Sequence, residues 1–364
     1  MLFRSTETMY QNLVRSVDPA APESVHLCDY PRADGALIDE RLAAQVAQVR
    51  LLVSLGRAAR NQAGIRVRQP LPALRVAAVW TADRRRVLNE AAAMRLLADL
   101  LPEGSIPAVC DVDATNYVLI MACAPDDAVN WKGELLDGRV DVAVVDHCAR
   151  LLATIHRRTR DDSAAASLFD NPRIVRQLRI EPYYEATAAV HPDVAPRILA
   201  VARRTLDARI ALVHGDFSPK NVLVVPRGAR RQVVLLDFEV VHYGDPSFDV
   251  ATMLNHLLLK GLYRLDDAEP FFAAARRFWT VYRATAGSPE PDLERRTVEQ
   301  VGCLMLARVD GKSPVEYARS LPLQALIRQL AKRLLIEAPP TLDDALSLFQ
   351  GCFPSRRRQH EVLV

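Results

Sequence analysis

The sequence has almost no lysine. Only Lys132, Lys220, Lys260, Lys312 and Lys332 occur in 364 residues, so the first 131 carry none and arginine supplies nearly all the positive charge. Glycine is scarce at the front as well. Gly35, Gly56 and Gly64 are the only ones before residue 68, without the clustering of a phosphate-covering loop. No apolar run approaches the roughly 20 residues of a membrane span, and the N-terminus lacks a secretory profile. A cytoplasmic protein with no membrane partner is expected. The six cysteines (Cys28, Cys110, Cys123, Cys148, Cys303 and Cys352) form neither a CxxC pair nor a cluster. That excludes a zinc ribbon or a disulfide frame and predicts reduced thiols. A net charge of +3 is too small to argue for nucleic acid or a membrane surface.

Half of the residues are hydrophobic, enough for a sizeable core in two or three domains. A short helix is predicted over 3–16, then a proline-rich loop at 18–22. A long helix follows over 37–63, with Ile38, Leu42, Val46, Val49 and Val53 on one face and Gly64 as its stop. Residues 65–67 and 75–79 read as extended, and Pro70 and Pro72 forbid a regular helix between them. A helix over 84–100 places Leu88, Ala92, Leu96 and Leu100 in register, and Tyr117–Met121 reads as a buried strand. From residue 131 onward the pattern is mostly helical. The exception is a hairpin of two short apolar strands, 222–225 and 233–236, turning at Pro226-Arg227-Gly228. The basic run 355–359 reads as a solvated end.

That hairpin concentrates the chemistry. His214-Gly215-Asp216 through Asn221 precedes its first strand, and Asp237-Phe238-Glu239 follows its second. Phosphoryl transfer needs a carboxylate near the acceptor hydroxyl and oxygen ligands for the magnesium on the nucleotide phosphates. The spacing supplies all three at one end of the hairpin: Asp216 as base, and Asn221 with Asp237 as Mg²⁺ ligands. Lys220, between base and metal ligand, reads equally as a phosphate neutraliser or a solvated side chain.

His214–Asn221, Asp237–Glu239 and Gly244-Asp245-Pro246-Ser247-Phe248-Asp249 resemble the signature of the aminoglycoside phosphotransferase and choline kinase family, over residues 68 to 330. The resemblance implies an α+β, protein-kinase-like fold with a largely helical C-lobe. It implies an ATP- and Mg-dependent transfer to a hydroxyl of a small molecule, with Asp216 as catalytic base and Asn221 and Asp237 on magnesium. Asp249 would buttress the catalytic loop, and His214 would be structural. On the nucleotide side, Glu90 matches the glutamate that pairs with the nucleotide-binding lysine. Leu119 to Pro125, with Met121 and Cys123, matches the hinge that meets adenine. Leu178 to Tyr184 resembles the branch that includes methylthioribose kinases, and reads otherwise as the end of a core helix.

The lysine itself is missing. By spacing Arg68 stands in its place, and a planar guanidinium is not interchangeable with an ammonium. The N-lobe is therefore expected to be incomplete. What precedes it resembles a different family. Glu7–Arg15, Glu23–Leu27, Arg57–Asn61 and Ile65–Leu71 are similar to the anticodon-binding domain of isoleucyl-tRNA synthetase, over residues 1–74. Neither a HIGH-like nor a KMSKS-like motif accompanies it, which excludes aminoacylation. The sequence thus divides into a synthetase-like helical segment (1–66), a partial N-lobe and hinge (67–125), a C-lobe (126–354) and a basic tail (355–364). Three readings stay open: an active small-molecule kinase, a kinase-like scaffold with weak or no catalysis, and a tRNA-binding module using Arg57, Arg60, Arg66 and Arg68.

Overall fold

The computed structural model describes residues 85–350, apart from positions 229, 288 and 289. The helices expected over 3–16 and 37–63, the extended pieces around 65–79, Arg68 and the basic tail lie outside the described residues.

Helix α1 (Arg86–Leu100) leads to an antiparallel hairpin, β1 (Val109–Asp113) and β2 (Val118–Met121). The face of α1 differs from the expected one. Leu88, Ala92, Leu96 and Leu100 are only half-buried, and the core side consists of Ala93, Met94 and Leu97. Small residues let the helix lie close to its neighbours, and the bulkier leucines cover the rim. Strand β2 starts one residue late, because Tyr117 has φ +56° and stands in the turn that Asp113 caps through the Thr115 and Asn116 amides. It is half-buried along its length, not buried as expected.

Next come β3 (Val129–Asn130), α2 (Trp131–Leu136), α3 (Val142–Thr159) and α4 (Ser163–Leu168). Asp141 and Asp162 cap α3 and α4 by accepting first-turn amides. Helix α5 (residues 172–190) is continuous but irregular. Regular turns at Pro172–Val175 and Ala186–Val190 flank a π-helical stretch, Arg176–Glu185, with Pro182 inside it. Then follow α6 (Ala195–Asp207), β4 (Ala211–Val213), β5 (Val222–Arg227), β6 (Arg230–Leu235) and β7 (His242–Gly244). Five more helices complete the described chain: α7 (Ser247–Tyr263), α8 (Glu269–Ala286), α9 (Leu293–Asp310), α10 (Leu321–Glu337) and α11 (Leu342–Gln350).

The expected hairpin is β5–β6, and β3 adds a third strand to it. Its turn is tighter than expected, since Pro226 and Arg227 remain paired with Arg231 and Arg230. Strand β3 reaches only Leu223 and Val224, so β5 is an edge at Pro226, where a missing N–H is tolerated. Strands β4 and β7 form a separate antiparallel pair. Around these strands α3 packs on α8, and α7 on α8 and α9, in one continuous hydrophobic core. Helix α7 lies at its centre and is buried from Ser247 to Leu262. Of the thiols, Cys148 and Cys303 are buried and Cys110 and Cys123 exposed, all four unbridged.

Candidate functional site

The loop from β4 to β5 is set from below by one carboxylate. Asp249, in the first turn of α7 and fully buried, accepts the His214 amide at 2.6 Å and the Gly215 amide at 2.9 Å. Its Oδ2 also lies 3.2 Å from His156 Nε2, and the other ring nitrogen of His156 meets the Tyr282 hydroxyl at 2.8 Å. Burial alone would raise the Asp249 carboxyl, but these partners outweigh it and hold the group below its ordinary range. Gly215 is obligatory. It has φ +79°, and a Cβ there would stand 2.6 Å from the Val240 carbonyl oxygen. His214 packs against Phe217 and Phe238, and its Nδ1 accepts the Asp216 amide at 3.2 Å.

The Asn221 amide nitrogen donates to the Asp216 carbonyl at 3.0 Å, which leaves Oδ1 for other work. The Asn221 carbonyl accepts the Leu236 amide at 2.9 Å, so the hairpin exit is tied to its entry. Immediately beyond, Asp237 adopts φ +70°, a left-handed conformation that aspartate tolerates better than most residues. Asp216, Asn221 and Asp237 thus converge on one end of the β5–β6 hairpin. An amide oxygen and a carboxylate suit Mg²⁺, which takes one or two protein ligands and completes its shell with phosphates and water.

Asp216 is buried and has two cationic neighbours. Arg179 Nη2 lies 3.4 Å from its Oδ2, and Lys220 Nζ lies 2.8 Å from the same oxygen. Burial works to raise this carboxyl, but Arg179, Lys220 and Arg308 together hold it well below the usual carboxylate range. Lys220 is therefore paired with the carboxylate. Arg179 comes from the π-helical stretch of α5, where it also donates from Nε to the Gly215 carbonyl and from Nη1 to Leu178 O at 2.7 Å. Sequence reasoning assigned Arg179 no role at the site: 178–184 read as a branch resemblance or as the end of a core helix.

On the other side stand three carboxylates. Glu90 on α1 accepts the Phe238 amide at 3.1 Å, and burial, aided by Asp237 and Glu239, pushes its carboxyl up to about 7 despite that hydrogen bond. Glu239 is raised by burial and by Asp237, and is paired with Arg86 at 3.1 Å. Arg68, the expected partner of Glu90, lies outside the described residues. The expected hinge follows β2: Met121 packs against the core, Ala122 N donates to Ala108 O at 2.8 Å, and Cys123 is exposed. Farther on, Asn130 Nδ2 donates to the Lys220 carbonyl at 2.7 Å and joins this connection to the β4–β5 loop.

The sequence profile of the "phosphotransferase enzyme family" matches residues 75–287, more than half of the chain. A stretch of 103 residues, 28% of the chain, is 45% identical to isoleucine–tRNA ligase of Dehalococcoides mccartyi, and 78 residues are 54% identical to that of Thermus thermophilus. The chain spans about a tenth of the length of these curated relatives. Among solved structures, a choline/ethanolamine kinase family protein from Mesorhizobium loti is 17% identical with a TM-score of 0.46, over 73% of this chain and 84% of its own. A microcompartment-associated aminopropanol kinase is 16% identical with a TM-score of 0.45, over 72% and 86% respectively.

Proposed function

The chain belongs to the phosphotransferase enzyme family, and from that membership we propose that it transfers the terminal phosphoryl group of Mg-ATP to a hydroxyl of a small molecule. The family fold is α+β and kinase-like, and here it is joined to a stretch similar to isoleucine–tRNA ligase. The observation that carries the proposal is the convergence of Asp216, Asn221 and Asp237 at one end of the β5–β6 hairpin.

In the proposed reaction the acceptor hydroxyl lies against Asp216 and attacks the γ-phosphorus. The new O–P bond forms as the bond to the β-phosphate oxygen breaks, ADP leaves, and the proton passes to the Asp216 carboxylate. The low proton affinity of Asp216 fits a loose transition state, in which orienting the hydroxyl precedes proton loss. Asn221 and Asp237 would hold Mg²⁺, which neutralises phosphate charge when bound. Asp249 and His214 fix the loop, and Glu90, Met121 and Cys123 would face the nucleotide. Turnover is reduced relative to a complete N-lobe, because neither a glycine-rich loop nor a lysine precedes residue 132.

Calorimetric titration of the full chain with ATP, with and without Mg²⁺, tests the reading. Mg-dependent binding is expected, and its absence overturns the proposal. The synthetase-like stretch supports a second partner, tRNA, through Arg57 and Arg60. A salt-sensitive tRNA affinity lost in the Arg57→Ala/Arg60→Ala double variant supports that partner, and an affinity unchanged by it excludes this surface.

A further inference from the structure

Helix α7 is buried from Ser247 to Leu262, and a helix buried on every side is ordinarily apolar all round. This one carries Thr252, Asn255, His256 and Lys260, at the i, i+3, i+4, i+8 spacing of a single face. Thr252 is satisfied by the Phe248 carbonyl at 2.8 Å. Asn255, 1% exposed, has no hydrogen-bond partner at either amide atom, and His256 Nε2 has none either. Lys260 Nζ reaches only the His256 carbonyl, at 3.4 Å, and lies 5.3 Å from the centre of the Tyr317 ring.

Facing this stripe is Arg308 of α9. Its Nη1 donates to Ser313 at 3.2 Å, its guanidinium lies 4.7 Å over the Tyr183 ring, and its Nε is buried without a partner. Buried polar groups without protein partners are rare in folded proteins, and several in one place call for a bound water or a ligand oxygen. Asn255 and Arg308 line the same cleft as Asp216, Gly215 and Arg179. Its interior of about 10 Å³ holds one water-sized atom, so a single oxygen of a ligand group reaches in, in place of a water, and the rest of the group stays outside.

The sign of the charge narrows that group. Arg179 and Lys220 are both engaged by the single carboxylate of Asp216, and no carboxylate is paired with Arg308 or Lys260 among the described residues. The nearby Glu316 is paired with Lys132. Burial and then Lys132, with a further push from Arg308, bring Lys260 down to about 7 against the pull of Glu316. His256 is driven far below its ordinary value by burial, Lys260 and Arg308. Burial leads both shifts, and the neighbouring cations Lys132, Lys260 and Arg308 add to it.

We infer that Asn255 and Arg308 form a subsite for an anionic oxygen group, carboxylate or phosphate, at one end of a small hydroxylated acceptor whose reacting hydroxyl meets Asp216. This rests on the phosphotransferase reading and names its substrate class. Asn255 Nδ2 and Arg308 Nε are unpartnered donors lining one cleft, which an anionic oxygen can meet. Asn255 Oδ1 is free for a substrate hydroxyl, and the fixed charge of Arg308 disfavours an ammonium there.

The test titrates the full chain calorimetrically with compounds matched in skeleton and different in charge: gluconate, glucitol 6-phosphate, glucitol and 1-amino-1-deoxyglucitol. A three-carbon set of glycerate, glycerol and 3-amino-1,2-propanediol runs beside it. An anionic member is expected to bind at least tenfold more tightly than its neutral and cationic counterparts. Gluconate and glycerate against glucitol 6-phosphate separate a carboxylate from a phosphate. Arg308→Gln is expected to lose at least tenfold of the anion affinity. The near-isosteric Asn255→Asp is expected to turn the preference away from the anion without removing bulk. Equal binding across charge, preference for the amine, or no binding by any anion overturns the inference. Mg-ATP titration of the same wild-type sample separates the two claims: nucleotide binding without anion preference sinks the subsite alone, and anion preference without nucleotide binding sinks the kinase reading.

Discussion

The two sides of Asp216 carry opposite charge. Toward α1 and the hairpin exit stand Glu90, Asp237 and Glu239, crowded enough that burial and mutual repulsion raise Glu90 and Glu239, with Arg86 paired to one of them. Toward α5, α7 and α9 stand Arg179, Arg308 and Lys260. One side is short of cations and the other of anions. In the proposed complex magnesium answers the first deficit and the acceptor's anionic end the second, with Asp216 between them. The same carboxylate therefore works in a field graded from negative to positive, and each half of that gradient can be removed separately.

The largest effect is expected from the acidic side. Asp237→Ala should abolish Mg-dependent ATP binding, read by calorimetry with and without the metal, because it removes the one charged ligand of the pair. Asp216→Asn should retain that binding and lower phosphate transfer by roughly 10²–10⁴-fold, the usual contribution of a general base. Should both variants lose nucleotide binding alike, the two sides are not separable as described.

Next comes the support beneath both sides. Asp249→Ala leaves two backbone amides and His156 without their acceptor. It should cost about 3–5 kcal/mol in denaturant unfolding, because two buried amides each lose a hydrogen bond to a charged acceptor, worth roughly 1.5–3 kcal/mol. The smallest effect lies on the basic side. Lys260 titrates near 7 when folded and at 10.5 when unfolded, so between these values the unfolded chain holds the extra proton and stability rises with pH. Lys260 should therefore contribute a gain of roughly 2 kcal/mol between pH 7 and pH 9, fully developed only near 10.5 and absent below 7. Lys260→Met, which cannot titrate, should lose that increment and be more stable than the wild type at pH 6, measured by urea unfolding at each pH.

How much of this was legible in the sequence follows from how local each piece is. The acidic side was readable because its residues sit in short strings around one hairpin, where spacing fixes proximity. The basic side was not, because Arg179, Asn255 and Arg308 come from three helices far apart in sequence, and single polar residues in helical stretches read as solvated. One signal was present. Residues 247–262 are apolar enough to be a buried helix, yet they carry Thr252, Asn255, His256 and Lys260 on one face, a stripe that solvation does not explain. The face of α1 was misjudged for a related reason. Register alone picks out the periodic set Leu88, Ala92, Leu96 and Leu100, whereas Asn89 is drawn inward by the Val241 carbonyl at 2.8 Å and Ala93, Met94 and Leu97 share its buried side.

The π-helical stretch of α5 has a consequence for how this site can change. A residue inserted into or deleted from an α-helix turns everything beyond it by roughly 100°, and π turns accommodate one residue more than α turns do. The stretch Arg176–Glu185 includes Arg179 and Tyr183, both beside Asp216, with Pro182 between them supplying no amide to an orderly ladder. If it tightened into regular turns, Arg179 would swing out of line with Gly215 and Asp216 while the helix stayed whole. The winding of one helix thus acts as a tuning peg for the charge on the candidate base, and a single-residue deletion there would detune the site before it unfolded the protein.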